Sequence, residues 1–157
     1  MLVTWVPGLW DTAPPLPKGA VGRAETELGI RFPRSYRKVV AAHQGLQPEP
    51  SVFEFVEDGD VTDSVVGPLF HFLPGTEESE FPGYNLMTVY RQRRELLPPK
   101  VVPFCQDPGG NVIAFDFRGA SSDPPIVFVD HEMPEVEHNR VWRVADTFTD
   151  FLDRLHR

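Results

Sequence analysis

Asp107, Asp116, Asp130, His131 and Glu132 are the residues of this chain best equipped for chemistry. Asp130-His131-Glu132 is a dense set of groups that could bind a metal or exchange protons. Successive residues of a strand point to opposite faces, so Asp130 and Glu132 share a face from which His131 turns away unless the strand has already ended. None of the five histidines stands in an H-x-H or H-x-x-x-H relation, the spacing that brings two imidazoles to one zinc ion. Nucleophilic chemistry has no better footing. There is no G-x-S-x-G elbow, Ser121-Ser122 lies in a proline-flanked loop with no base beside it, and Cys105 sits in an apolar strand as a small buried hydrophobe. Asp107-Pro108-Gly109-Gly110-Asn111 lacks the lysine of a phosphate-cradling loop. It reads as turn chemistry, with glycines free to take positive φ and Asp107 and Asn111 free to bond local backbone. Asp116, between Phe115 and Phe117, faces outward if its neighbours face the core.

The elements that position these residues form a β-meander. Val101 to Cys105, Asn111 to Phe117 and Ile126 to Asp130 are short, rich in β-branched and aromatic residues, and separated by breaker-rich turns. They are expected at the centre of a single sheet. Upstream, Trp5, Trp10 and four prolines make residues 1–17 an extended lead-in packed on the domain, which occupies 18–157. A first helix spans Lys18 to Leu28 with Gly29 as its left-handed stop. A second follows Pro33, read as its first helical position, with Tyr36, Val39, Val40 and His43 on one stripe and Gly45 ending it. His43 is expected to be held by a carbonyl, and Arg34, Arg37 and Lys38 to form a solvated face. Ser51 to Glu57 reads as a strand and Val65 to Leu73 contains another, while Asp58 to Pro82 is mostly loop. Asn85 caps a third helix that ends before Pro98-Pro99, with Arg91, Arg93 and Arg94 on its solvated side. After the meander comes irregular chain with an edge strand around Arg140 to Val144. Asp146 then caps a last helix whose Phe148, Phe151, Leu152 and Leu155 form an apolar stripe. Helices before and after a run of strands define an α+β fold, a single domain with a central, largely antiparallel sheet flanked by N-terminal and C-terminal helices.

At 157 residues the chain is long enough to bury ~70% of its extended surface, and a lone cysteine excludes an intrachain disulfide. No apolar run reaches the ~18 residues of a membrane span, and the N-terminus lacks the basic start and small-residue cleavage site of a signal peptide, which implies a cytoplasmic protein. The net charge of −8 argues against direct binding to nucleic acid or anionic membrane and favours a basic partner.

Leu28-Gly29-Ile30-Arg31-Phe32-Pro33-Arg34-Ser35-Tyr36, Pro103-Phe104, Gly109-Gly110-Asn111, Phe115-Asp116-Phe117-Arg118, Val129-Asp130-His131-Glu132 and Phe148 with Phe151-Leu152 together resemble the SUKH superfamily over residues 18–156. That superfamily includes fungal Smi/Knr-type cell-wall regulators and bacterial immunity proteins of polymorphic toxin systems. The family's asparagine-glycine ending of the second helix is His43-Gln44-Gly45 here, which keeps the helix stop. The resemblance implies a non-enzymatic binding protein with no catalytic residues and no cofactor. Its partner would be a cognate toxin, often a nuclease, neutralised by direct binding. A regulatory or scaffold interaction domain is the alternative, and an uncharacterised enzyme stands behind it. Because a nuclease must carry basic groups, the expected contact surface is acidic, drawn from Glu77, Glu78, Glu80, Asp116, Asp130, Glu132, Glu135 and Glu137.

Overall fold

The meander is the centre of the computed structural model, which describes residues 3–74, 80–119, 122–131 and 141–157. In chain order the elements are β1 (Thr4–Val6), α1 (Ala20–Leu28), α2 (Arg34–His43), β2 (Gln47–Glu49), β3 (Val52–Glu57), β4 (Asp60–Val65), α3 (Leu86–Arg93), β5 (Val101–Gln106), β6 (Val112–Asp116), β7 (Ile126–Val129), β8 (Val141–Ala145) and α4 (Phe148–Asp153). Strands β5-β6-β7-β8 form one antiparallel sheet in sequence order, and the expected edge strand is β8. The expectation of one sheet needs amending, because β1-β2 and β3-β4 are separate antiparallel pairs.

Both faces of β5, β6 and β7 are dry, which explains why these three strands read as apolar runs, whereas β8 exposes Arg143. Val102, Phe104, Ile113, Phe115, Ile126 and Phe128 face the main core, where Phe32 and Tyr36 of the α2 region and Phe148 and Phe151 of α4 meet them. Val101, Val112, Ala114, Val127 and Val129 face a smaller cluster closed by Leu97 and Tyr90. The outer edge of β5 is not open. Residues 66–71 run along it, with Gly67 N–H donating to Gln106 O and Phe70 N–H to Phe104 O, both at 2.9 Å. A side chain at Gly67 would put Cβ 2.5 Å from the Gln106 oxygen, so glycine is required for this covering strap.

The helices follow the predicted spacing. Gly29 ends α1 in the left-handed region, and Asn85 caps α3 by accepting from Thr88 N–H at 2.9 Å. Pro33 proves to be the residue before α2, with extended ψ, instead of its first helical residue. The cap of α4 also moves by one. Thr147 Oγ1 accepts from Asp150 N–H, and Asp150 in return accepts from Asp146 N–H. Thr147 serves because Phe148 must open the helix with its ring in the core. Among the described residues His43 is held by Trp5, on which its ring stacks at 5.1 Å, and not by a carbonyl.

The strand expected within Val65 to Leu73 lies earlier, as β4. Asp58 and Gly59, both at positive φ, form the two-residue turn between Glu57 and Asp60, the geometry that matches strand twist. Phe53 and Phe55 hold the β3-β4 hairpin to the domain, with Phe55 stacked on Phe128 at 4.4 Å and Phe53 meeting Phe151 at 5.7 Å.

Two predictions follow from this packing. Phe148 and Phe151 are wholly buried among rings, so Phe148→Ala or Phe151→Ala should cost ~3–5 kcal/mol in a urea melt; a change near zero would remove α4 from the core. The Tyr36 hydroxyl is buried without a hydrogen-bond partner among the described residues, and burial pushes its pKa well up. Tyr36→Phe should therefore raise stability by ~1 kcal/mol, since it removes a desolvated group that gains nothing in the fold. A loss of stability would reveal a partner for that hydroxyl.

Candidate partner-binding surface

Strand register carries the dense acidic and imidazole residues to one end of the central sheet. Val112 pairs with Val129, which sets Asn111 beside Asp130 and His131. There the Asp107 carboxylate is buried and accepts from Asn111 N–H at 2.9 Å, Asn111 Nδ2 at 3.0 Å and Ser64 Oγ at 2.9 Å. Asn111 Oδ1 in turn accepts from His131 N–H at 3.1 Å and lies 2.7 Å from His131 Nδ1. This contact places the imidazole proton on Nδ1. Arg93 Nη1 reaches the same turn, donating to Gly110 O at 2.7 Å. Arg93 is half buried, which corrects its reading as a solvated helix residue; desolvation lowers its pKa and nearby Asp107 opposes that shift. The Arg91 side does match the surface expectation, since Arg91 makes an exposed two-pronged bond to Glu27.

Asp107, Asn111, His131 and Ser64 resemble an acid–base relay in composition, but their geometry is that of a brace. Ser64 donates to the carboxylate at the far end of the chain from the imidazole, so it is not placed to be activated by His131. Cys105 is fully buried, and desolvation with the charge of Asp107 raises its pKa well above the ordinary thiol value, which keeps it protonated. Among the described residues no cluster of three or more histidine, cysteine or acidic side chains is arranged to hold a metal ion, and no helix is long and apolar enough to cross a membrane.

The candidate contact residues do not form one patch in the described chain. Glu77, Glu78, Glu132, Glu135 and Glu137 lie outside the described residues. Asp116 and Asp130 flank opposite ends of the β6-β7 pairing, separated by ~17 Å at the usual rise of a strand. Arg118 occupies Asp116 through its backbone N–H, Nε and Nη2 at 2.8–3.0 Å, and these bonds outweigh burial and lower the pKa of the carboxylate. Glu80 is exposed and accepts from Trp10 Nε1 at 2.8 Å. Its loop is anchored by buried His71, whose Nε2 donates to Phe81 O at 2.8 Å while Nδ1 accepts from Leu73 N–H at 3.1 Å. The Trp10 ring packs edge-on to both His71 and Phe81.

Sequence reasoning passed over the largest concentration of charge. Residues 39–90 carry nine carboxylates and no lysine or arginine, so this third of the chain holds more negative charge than the net −8 of the whole. Six of the nine lie between Glu49 and Asp63, on the end of β2 and on the hairpin, and Glu49, Glu54, Asp58, Asp60 and Asp63 are exposed. The signal was a long gap in basic residues. Positive charge gathers elsewhere, with Arg31, Arg34 and Arg37 lining an open groove of about 380 Å³ at the start of α2.

These features define a single-domain α+β protein with an exposed acidic hairpin. The chain belongs to the SMI1 / KNR4 family (SUKH-1), whose model matches residues 15–154. No curated protein matches it.

The anchoring of the Glu80 loop gives a pH prediction. Burial lowers the His71 pKa, because a second ring proton would be desolvated and would displace the Leu73 N–H bond. The neutral ring's contribution to stability is complete above about pH 6.5 and is lost as pH falls through the lower folded value. Thermal stability should therefore fall between pH 7.5 and 5.5, and His71→Gln should narrow that difference. An equal difference in the variant would clear His71 of the effect.

Proposed function

We propose that this chain is a non-enzymatic cytoplasmic binding protein that neutralises a cognate toxin by direct contact. The observation that carries the reading is membership of the SMI1 / KNR4 family (SUKH-1) in a chain of net charge −8. A nuclease toxin holds phosphates with lysine and arginine, and an acidic inhibitor is drawn to the same groups. Steering of this kind lifts association from ~10⁵–10⁶ towards ~10⁸ M⁻¹s⁻¹ at low salt. Glu77, Glu78, Glu80, Asp130, Glu132, Glu135 and Glu137 would add to that field; Asp116 would add less, its charge being matched by Arg118. Tight holding would come from a desolvated centre of the contact, since charge at a rim governs approach more than residence.

Expressing the chain together with the toxin encoded beside its gene should restore growth, and the purified pair should associate more slowly as salt rises. Glu132→Lys with Glu135→Lys should slow association more than it speeds dissociation. If no toxin gene adjoins this one, or if growth is not restored, the immunity reading fails. Restored growth with an association rate indifferent to salt and to these reversals would leave immunity standing and reduce the acidic charge to a matter of solubility.

A further inference from the structure

The β3-β4 hairpin turns only one of its faces to the domain. Phe53 and Phe55 occupy that face, and the pairing places Val52 with Val65, Glu54 with Asp63, and Val56 with Val61 on the other. Val56 is 57% exposed and Val61 70%, although both are β-branched residues that ordinarily gain by burial. The register also opposes two like charges. Val52 spends its backbone N–H and C=O on His156, so Val52–Val65 is a pair without mutual hydrogen bonds, and alternation makes Glu54–Asp63 the same. Side chains of such pairs stand closest together, and like charges there are unfavourable. Among the described residues the one basic side chain paired with either is His156, whose Nε2 is 3.7 Å from Glu54.

Acids on an edge strand can serve merely to deter pairing with another chain. That purpose accounts for Asp60 and Asp63 on β4, the edge strand of this pair. It does not account for Glu54 on β3 set directly opposite Asp63, nor for a valine pair on each side of the two carboxylates, Val56–Val61 exposed and Val52–Val65 partly so. A second copy of the chain is a poor occupant, since it would bring two more carboxylates to the same place.

We propose that this outward face is the contact surface for a cationic protein partner: a lysine or arginine seats between Glu54 and Asp63, and apolar residues flanking it cover Val56–Val61 on one side and Val52–Val65 on the other. The proposal rests on the reading of the chain as a binding protein and supplies the chemistry of its partner. It also explains the opposed carboxylates, whose repulsion in the free protein is relieved when a cation arrives between them.

The test uses the full chain, labelled with ¹⁵N, and the probe acetyl-Val-Lys-Val-Lys-Val-Lys-Val-amide, with the same peptide bearing glutamate for lysine as control. Amide shifts should be confined to residues 52–65 and absent with the control. Asp63→Asn should weaken binding about tenfold, the scale of losing one close charge pair, and Val61→Thr, which keeps β-propensity, should weaken it as well. Glu54→Gln should raise the melting temperature of the free protein while weakening binding, a combination that a purely structural or solubility role does not give. Shifts centred elsewhere, no binding, unaltered affinity in the variants, or dimerisation through the hairpin in sedimentation would each overturn the proposal. Its fate separates from that of the immunity reading. A chain that protects cells fully with both Glu54→Gln and Asp63→Asn in place retains the immunity role and loses this surface. One that fails to protect yet binds the peptide at the hairpin does the reverse.

Discussion

Four rings set the terms for the rest of the molecule. Tyr36 of α2, Phe104 of β5, Phe115 of β6 and Phe148 of α4 meet with centroids between 4.7 and 6.0 Å apart, mostly in tilted or edge-to-face arrangements. Aromatic quadrupoles favour such arrangements over flat sandwiches, so the cluster prescribes angles as well as proximity. It fixes two helices, far apart in sequence, to one face of the central sheet. The other face is then left to α3 and the chain after it, through Tyr90 and Leu97. That placement brings Arg93 to the carbonyl of Gly110 and thereby ties α3 to the turn at which Asp107, Asn111 and His131 converge. The brace is thus a secondary product of the ring cluster.

The hairpin's exposure has the same origin. Phe53 and Phe55 join the rings through Phe128 and Phe151, and with that contact the hairpin has used its one apolar face. Among the described residues nothing further covers a two-stranded ribbon pinned on one side. The valines and acids of its other face are therefore left to solvent or a partner, by topology and not by any looseness of packing.

Much of this was legible in the sequence, and the failures have physical reasons. The meander strands and the stripes of α2 and α4 announce themselves because their periodic residues face a core. Strand β4 escapes because its valines, Val61 and Val65, face outward while Thr62 and Ser64 face inward, the inverse of the usual pattern. Asp58-Gly59 was the available clue, a two-residue turn concealed in a run that composition marks as loop. Asp146 and Thr147 are equally competent caps, and only the placement of the Phe148 ring decides between them. The Asn111–His131 contact joins residues 20 positions apart and depends on the β6-β7 register, which local pattern does not specify. The acids from Glu49 to Asp63 are visible as letters, but Glu54 and Asp63 become neighbours only through the register that the Glu57–Asp60 turn sets.

Charge placed in this way does something that dispersed charge cannot. At physiological salt, exposed charges screen one another beyond ~8 Å, so a net −8 spread evenly would present a weak field in every direction and no preferred approach. Facing side chains of a hairpin stand well inside that distance, at ~5 Å, and their fields add before screening takes effect. The hairpin accordingly bears repulsion in the free state in return for a local potential that orients an incoming cationic surface. The buried rings hold the hairpin in place against that repulsion. Because Phe53 and Phe55 alternate with Glu54 and Val56 along β3, the residues that anchor the ribbon and those that face outward are inseparable. A slip of one residue in register would expose the rings and bury the acids, which makes the core itself the guarantor of which way the charge points.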